Sequence, residues 1–229
     1  MVKFRLRLYC IKMTTVPRIQ QNLLAANERR LLNWLCPRLP QRVTPDMMTA
    51  LGFAGAAMVG TGYMMSTDSL MWLWLTQLGY VLNWFGDSLD GSLARFRRIE
   101  RPNYGYFIDH SVDALAILVM LGGLGLGPFV ELEVALFALV AYLLLSIHTY
   151  LCAQVIDQFK LTYLAGGPTE LRLMLMAMTT AMFFVGPDKL WGTGLSAFDI
   201  FALTVAAILV AIFVGQTVST ARTLAKRER

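Results

Sequence analysis

The chain has 229 residues, of which 56% are hydrophobic and only 15% charged, and its mean hydropathy is +0.55. A soluble domain carries about 25% charged residues, so this composition excludes disorder, a collagen-like repeat and a charge-laced coiled coil. The net charge of +5 in so apolar a chain fits an anionic membrane surface better than nucleic acid.

Residues 1–46 hold nine bases, from Lys3 to Arg42, and lack the continuous apolar stretch of a cleavable leader. From Ile19 to Leu35 the pattern is amphipathic. Leu23, Leu24, Leu31, Leu32 and Leu35 alternate with Gln20, Asn27, Arg29 and Arg30, and Trp34 joins them. This predicts an interfacial helix in the headgroup plane; a solvated helix packed on other protein is the alternative.

Six apolar windows follow, near 48–66, 69–88, 105–126, 132–153, 169–186 and 198–219. Each approaches the roughly 20 residues needed to cross the hydrocarbon core. Breakers separate them: Ser66-Thr67-Asp68, Arg101-Pro102-Asn103, Gly125 to Pro128, Gly166-Gly167-Pro168 and Gly186-Pro187-Asp188. The expected fold is an all-α integral membrane protein. Six transmembrane helices over 47–220 follow the N-terminal segment 1–46 and precede a basic tail, 221–229.

Nineteen of the 20 bases fall on one side of this arrangement, and Lys189 alone lies on the other. By the positive-inside rule both termini are expected in the cytoplasm. Cys10, Cys36 and Cys152 lie far apart with no CxxC, which argues against a disulfide framework or a zinc site.

Most acids lie in loops or at span ends, but four do not. Asp87 and Asp90 close the second span, and Asp109 and Asp113 lie inside the third. Ionisable groups at such depth are costly and are functional candidates by default. The first pair is spaced i,i+3 and the second i,i+4, so each shares a helix face. A short connection makes the two helices antiparallel neighbours, and four carboxylates then converge at the cytoplasmic boundary.

Their repulsion calls for cations, and no lysine or arginine falls on the third span. Hard divalent ions with oxygen ligands suit the set: Mg2+ first, with Mn2+ or Ca2+ as alternatives. Two such ions clamping a phosphoryl group are the chemistry expected. Gly91 and Ala94 leave room beside the first acid pair, and Gly105 lies one turn before Asp109. Arg95 is placed to meet a phosphate. Close helix packing is the alternative use of such small residues.

The run Asp87-Ser88-Leu89-Asp90-Gly91-Ser92-Leu93-Ala94-Arg95, a gap, then Gly105-Tyr106-Phe107-Ile108-Asp109-His110-Ser111-Val112-Asp113 resembles a known signature. It is similar to DxxDGxxAR followed by GxxxDxxxD, the motif of the CDP-alcohol phosphotransferase family. The resemblance implies six transmembrane helices, a cytoplasm-facing polar cavity and a homodimer. The implied reaction moves a substituted phosphate from a CDP-alcohol to an acceptor alcohol and releases CMP, as in phospholipid biosynthesis. It implies Asp87, Asp90 and Asp109 as metal ligands, with Asp113 as the general base that also reaches a metal. Two Mg2+ or Mn2+ ions per site are implied. Gly91, Ala94, Arg95 and Gly105 are the implied nucleotide cradle. Thr44-Pro45-Asp46-Met47-Met48-Thr49 is similar to the family's loop bordering the nucleotide, which adds Asp46 and Thr49; a plain helix cap is the alternative.

Family members with phosphorylated acceptors carry bases after the fourth span and before the fifth. Here Tyr150 to Asp157 has none, although Arg101, Lys160 and Arg172 are available nearby. Gly167-Pro168-Thr169-Glu170 looks more like the choline and ethanolamine branch. A non-phosphorylated acceptor is therefore expected, with Glu170 and His148 as further headgroup candidates. Glu170 is equally explained as an acid favoured by a helix N-terminus, and His148 as a histidine bonded to a neighbouring helix. CDP-diacylglycerol and CDP-ethanolamine or CDP-choline all fit as donors, and membrane lipids are expected partners. The competing acceptor class is glycerol phosphate or inositol phosphate, giving a phosphatidylglycerol-phosphate or phosphatidylinositol-phosphate synthase. An intramembrane prenyltransferase lacks its second Asp-rich motif here. A divalent metal transporter, the non-enzyme alternative, has no need of Gly91, Ala94 and Arg95 at fixed offsets. His110 follows Asp109 but points about 100° away on a helix, and is left outside the site.

Overall fold

A computed structural model describes residues 18–19, 25–155, 159–160, 168–190 and 194–228. Among these the chain is almost wholly helical: α1 (Ala25–Leu35), α2 (Pro45–Met65), α3 (Leu73–Arg97), α4 (Pro102–Leu126), α5 (Leu132–Val155), α6 (Pro168–Val185) and α7 (Ala197–Arg227). Two two-residue strands, β1 (Arg18–Ile19) and β2 (Phe159–Lys160), pair in parallel. Three helices, α4, α5 and α7, are long and apolar enough to cross a membrane. The other long helices are diluted by glycines in α2 and by polar residues in α3 and α6.

Local chemistry sets the ends. Thr44 caps α2 by accepting from the Met47 amide at 3.2 Å, with Pro45 in the first turn, a pairing worth about 1 kcal/mol. Helix α3 continues past its apolar window, 69–88, and carries Gly91, Ala94 and Arg95 as well. It stops where Arg98 adopts a left-handed conformation at φ 55°, the usual helix-ending geometry. Ser196 and Asp199 form a reciprocal capping box at the start of α7. The Asp199 carboxylate also accepts from the Glu131 amide at 2.7 Å, joining the two connections at that end of the bundle. Beside them Lys189 pairs with Glu131, which raises the lysine's pKa. Helix α7 continues to Arg227, so most of the expected tail is helical.

The closest seam is between α2 and α3. A Cβ on Gly55 would strike the backbone of Asn83 and Gly79, and one on Gly86 would strike Gly52 N and Met48 O. Gly60 and Gly123 make a similar crossing of α2 with α4. Small residues let helix backbones touch where side chains otherwise keep them 8–10 Å apart. Around this seam pack the apolar core residues Val59, Leu73, Met120, Phe129 and Met182. The buried hydroxyl of Tyr63 bonds Tyr80 Oη at 3.2 Å and Thr179 Oγ1 at 2.5 Å, tying α2, α3 and α6.

The N-terminal segment departs from expectation. Ile19 is extended and paired with Lys160, so the helix does not begin there. Gln20, Leu23 and Leu24 lie outside the described residues. In α1, Leu32 and Leu35 face protein, joining Cys36, Met48, Leu89 and Leu93 in a second small core. Leu31, Trp34, Arg29 and Arg30 stay exposed. Burial pushes the Cys36 thiol pKa up, which keeps it neutral. The inward stripe thus satisfies the amphipathic pattern by packing on α3.

The Arg97 guanidinium gathers the chain before α2, donating to the carbonyls of Leu39 (3.2 Å), Pro40 (2.8 Å), Gln41 (3.3 Å) and Val43. Arg97→Ala is expected to destabilise the protein by about 1.5–3 kcal/mol, since several carbonyls lose a charged donor together. A thermal melt in detergent checks this; an unchanged midpoint would remove the clamp.

Candidate metal and nucleotide site

The site lies between the C-terminal half of α3 and the N-terminal half of α4; both helices pack on α2, α3 antiparallel to it and α4 parallel. Four residues, Ile99, Glu100, Arg101 and the αL residue Arg98, make the turn between them. One carboxylate oxygen each from Asp87, Asp109 and Asp113 lies within 4.8 Å of the others. The three acids are half-buried. The i,i+4 pair on α4 and the first acid of α3 therefore meet as their spacing requires.

Asp90 is turned aside. Its Oδ2 accepts from Thr49 Oγ1 at 2.7 Å and its Oδ1 from the Gly91 amide at 2.5 Å, linking α3 to the first turn of α2. Thr49, expected beside the nucleotide, thus holds one of the four acids. Asp46 forms an ion pair with Arg101, whose guanidinium also lies 4.2 Å over the Tyr104 ring. The Asp46 contact raises the pKa of Arg101. Thr44 supplies the cap, so Asp46 is free of that duty.

The glycines separate into two kinds. Those of the α2–α3 seam abut backbone, but a Cβ on Gly105 would meet nothing within 4 Å. One on Gly91 would meet only the Arg95 guanidinium, its nearest atom 3.3 Å away. Neither glycine is a helix-packing residue; both leave open surface beside the acids. Ala94 lies one turn beyond Asp90, and Arg95 Nη2 donates to Ser92 Oγ at 3.2 Å.

A cation that the sequence reading assigned to the acceptor enters the acid cluster. Arg172 on α6 donates from Nη2 to Asp87 Oδ2 at 2.5 Å and from Nε to Asn83 Oδ1 at 2.9 Å. The third span has no base of its own, and α6 supplies one across the bundle. Asn83 in turn donates from Nδ2 to Gly52 O at 3.0 Å, so one carboxamide connects the α2–α3 seam to Arg172.

Other expected headgroup residues are dispersed. His148 is buried and faces α7: its Nε2 lies 3.3 Å from Cys152 Sγ and its Nδ1 3.3 Å from Thr217 Oγ1. That is the histidine bonded to a neighbouring helix. Glu170 lies in the first turn of α6, where the helix dipole favours an acid. The Lys160 backbone lies in β2, and its side chain lies outside the described residues. Gly167 also lies outside them.

Two residues stand closer to the site than the sequence suggests: His110, expected to point away from it, and Glu28. His110 Nδ1 lies 3.5 Å from Asp109 Oδ2. Its ring stacks on Tyr150 at 4.6 Å and meets Tyr106 edge-on at 4.2 Å, walling one flank of the acids. Glu28 on α1 accepts from Trp84 Nε1 (3.1 Å), Ser88 Oγ (2.9 Å) and Thr169 Oγ1 (3.0 Å). The amphipathic pattern gave no hint of Glu28's partners. Asn83, a carboxamide inside an apolar window, was the available signal for a polar contact across helices.

Set against protein families, residues 42–218 match the model described as CDP-alcohol phosphatidyltransferase. A comparison with curated proteins returns no match.

Proposed function

The chain belongs to the CDP-alcohol phosphatidyltransferase family, membrane transferases of substituted phosphate groups, and from that premise we propose a specific reading of its site. The protein is a phospholipid-biosynthetic enzyme with six transmembrane helices, acting as a homodimer with both termini and the site at the cytoplasmic face. It transfers the phosphate-linked group of a CDP-alcohol to an acceptor hydroxyl and releases CMP. The observation carrying this reading is the convergence of Asp87, Asp109 and Asp113 beside the open surface at Gly91 and Gly105. The bias of nineteen bases to one side supports the orientation.

The donor set fits a hard divalent ion: clustered carboxylate oxygens, with no sulfur or imidazole among them. Asp87, Asp109 and Asp113, with Asp90 released from Thr49, would hold two Mg2+ or Mn2+ ions. Bound there, the ions would supply positive charge to the diphosphate of the donor. Asp113 takes the proton of the acceptor hydroxyl at a carboxylate oxygen. Gly91, Ala94 and Gly105 leave the backbone bare for the nucleotide, and Arg95 meets its phosphate. Asp46 and Thr49 border the same space from α2.

The acceptor is a non-phosphorylated alcohol. Arg101 is engaged by Asp46, and Arg172 by Asp87 and Asn83, so these two nearby cations have carboxylate or carboxamide partners. One observation favours the competing phosphorylated acceptor: Arg172 stands at the acid cluster itself, where a swing off Asp87 would carry it to a phosphate.

The test is CMP release from purified protein in liposomes with Mg2+. CDP-diacylglycerol is offered in one arm and CDP-ethanolamine or CDP-choline in the other, each with plain and phosphorylated acceptors, and products are identified by mass. CMP formation that EDTA abolishes is expected. No CMP with any donor, together with Mn2+ uptake into empty liposomes, would replace the enzyme with a transporter.

A further inference from the structure

Helix α6 is joined to α3 by three successive polar rungs. Gln77 Nε2 donates to Met176 O at 2.8 Å and to Thr180 Oγ1 at 2.9 Å. Arg172 reaches Asn83 and Asp87. At the start of α6, α3 and α6 meet through a third helix, because the Glu28 carboxylate gathers Trp84 and Ser88 of α3 and Thr169 of α6. Ser88 adjoins Asp87 in sequence, and Thr169 precedes Arg172 by three residues, so it lies on the same face of α6. The carboxylate that fastens the first turn of α6 thus lies one helical turn from the guanidinium on the metal-ligand candidate.

A half-buried carboxylate is stable only with its oxygens occupied, and each hydrogen bond to a charged group is worth more than a neutral one. Glu28 therefore resists displacement of the α6 start more strongly than the neutral Tyr63–Thr179 contact deeper in the bundle. With that end anchored, the Arg172 backbone is held where its guanidinium reaches Asn83 and Asp87.

We propose that Glu28 is a positioning residue: through Thr169 it fixes the first turn of α6 and so holds the Arg172 guanidinium on Asp87, which makes helix α1 part of the acid site. The consequence for a divalent ion rests on the metal reading above. An ion that takes the Asp87 oxygen must displace Arg172, and anchoring α6 opposes that displacement. Glu28 thus sets how readily Asp87 changes from an ion pair to a metal ligand.

The experiment uses the full chain in nanodiscs, with wild type compared to Glu28→Ala, Glu28→Gln and Thr169→Val. Arginine reactivity toward phenylglyoxal, followed peptide by peptide, reads the position of Arg172 without any metal. Arg97, held by its own carbonyl clamp, serves as the internal reference. Glu28→Ala and Thr169→Val are each expected to accelerate labelling of Arg172 roughly tenfold, with Arg97 unchanged. Glu28→Gln is expected to restore most of the protection, because its amide oxygen still accepts from Trp84 and Ser88 while its amide nitrogen donates to Thr169 Oγ1 and so keeps the link to α6. Mn2+ alone, titrated by the EPR signal of the free ion, is expected to bind several-fold more tightly to Glu28→Ala than to wild type. General loosening of the site would weaken Mn2+ binding instead. Unchanged labelling of Arg172, or equal acceleration at Arg97, overturns the proposal. Weaker Mn2+ binding in Glu28→Ala overturns it as well. Failure of wild type to bind Mn2+ would remove the metal reading, and the labelling would still decide the role of Glu28.

Discussion

Asp113→Asn is expected to lower the rate of CMP release by about 10²–10⁴, the span that a positioned general base contributes. The substitution keeps the size of the side chain and removes the proton acceptor. It also relieves crowding, because one of three carboxylates within 4.8 Å of each other becomes neutral. The melting temperature should therefore be no lower than that of wild type, which separates lost chemistry from lost structure. Initial rates at saturating Mg2+ check the first half, and a melt in the same detergent checks the second. Turnover within about threefold of wild type would take the base away from Asp113.

The second large effect is structural at its origin. Gly86→Ala places a methyl group against Met48 O and Gly52 N, and neither is a flexible side chain that can move aside. Overpacking of this kind costs about 1–3 kcal/mol where side chains can adjust, and a backbone seam lies at the upper end. Gly86 also directly precedes Asp87, so any spreading of α2 from α3 displaces the first acid. Loss of both thermal stability and CMP release is expected. Gly105→Ala is the complementary case: its methyl group meets nothing within 4 Å, so the melt should stay in place while turnover falls. If the two variants behave alike in the melt, the division of the glycines into packing and open-surface positions is wrong.

The sequence carried these features unequally. Helix positions were legible because apolar windows and breakers are local: the fifth window, 169–186, differs by one residue at each end from α6. Boundaries on the polar side were less so. Helix α3 extends to Arg97 because its last turns are held by protein contacts, for which hydropathy carries no signal. The meeting of Asp87, Asp109 and Asp113 followed from i,i+4 spacing and a short turn. The rotation of Asp90 onto Thr49 depends on a residue 41 positions away, and Arg172 comes from 85 positions away. Contacts at such separations leave no periodic trace in one chain. The same holds for Glu28, which reads locally as one more acid on an amphipathic helix.

The α2–α3 seam has a mechanical consequence. Where backbones touch directly there are no rotamers to exchange, so the two helices have no means of sliding past one another in small steps. Helix α6 is attached to α3 through side chains with several torsions each, and its rungs can re-form after a shift. The protein therefore sets a stiff α2–α3 half that carries Asp87 and Asp90 against an α6 that is pinned at its first turn by Glu28 and more compliant beyond it. Amide hydrogen exchange should accordingly be faster along α6 beyond its first turn than along α2.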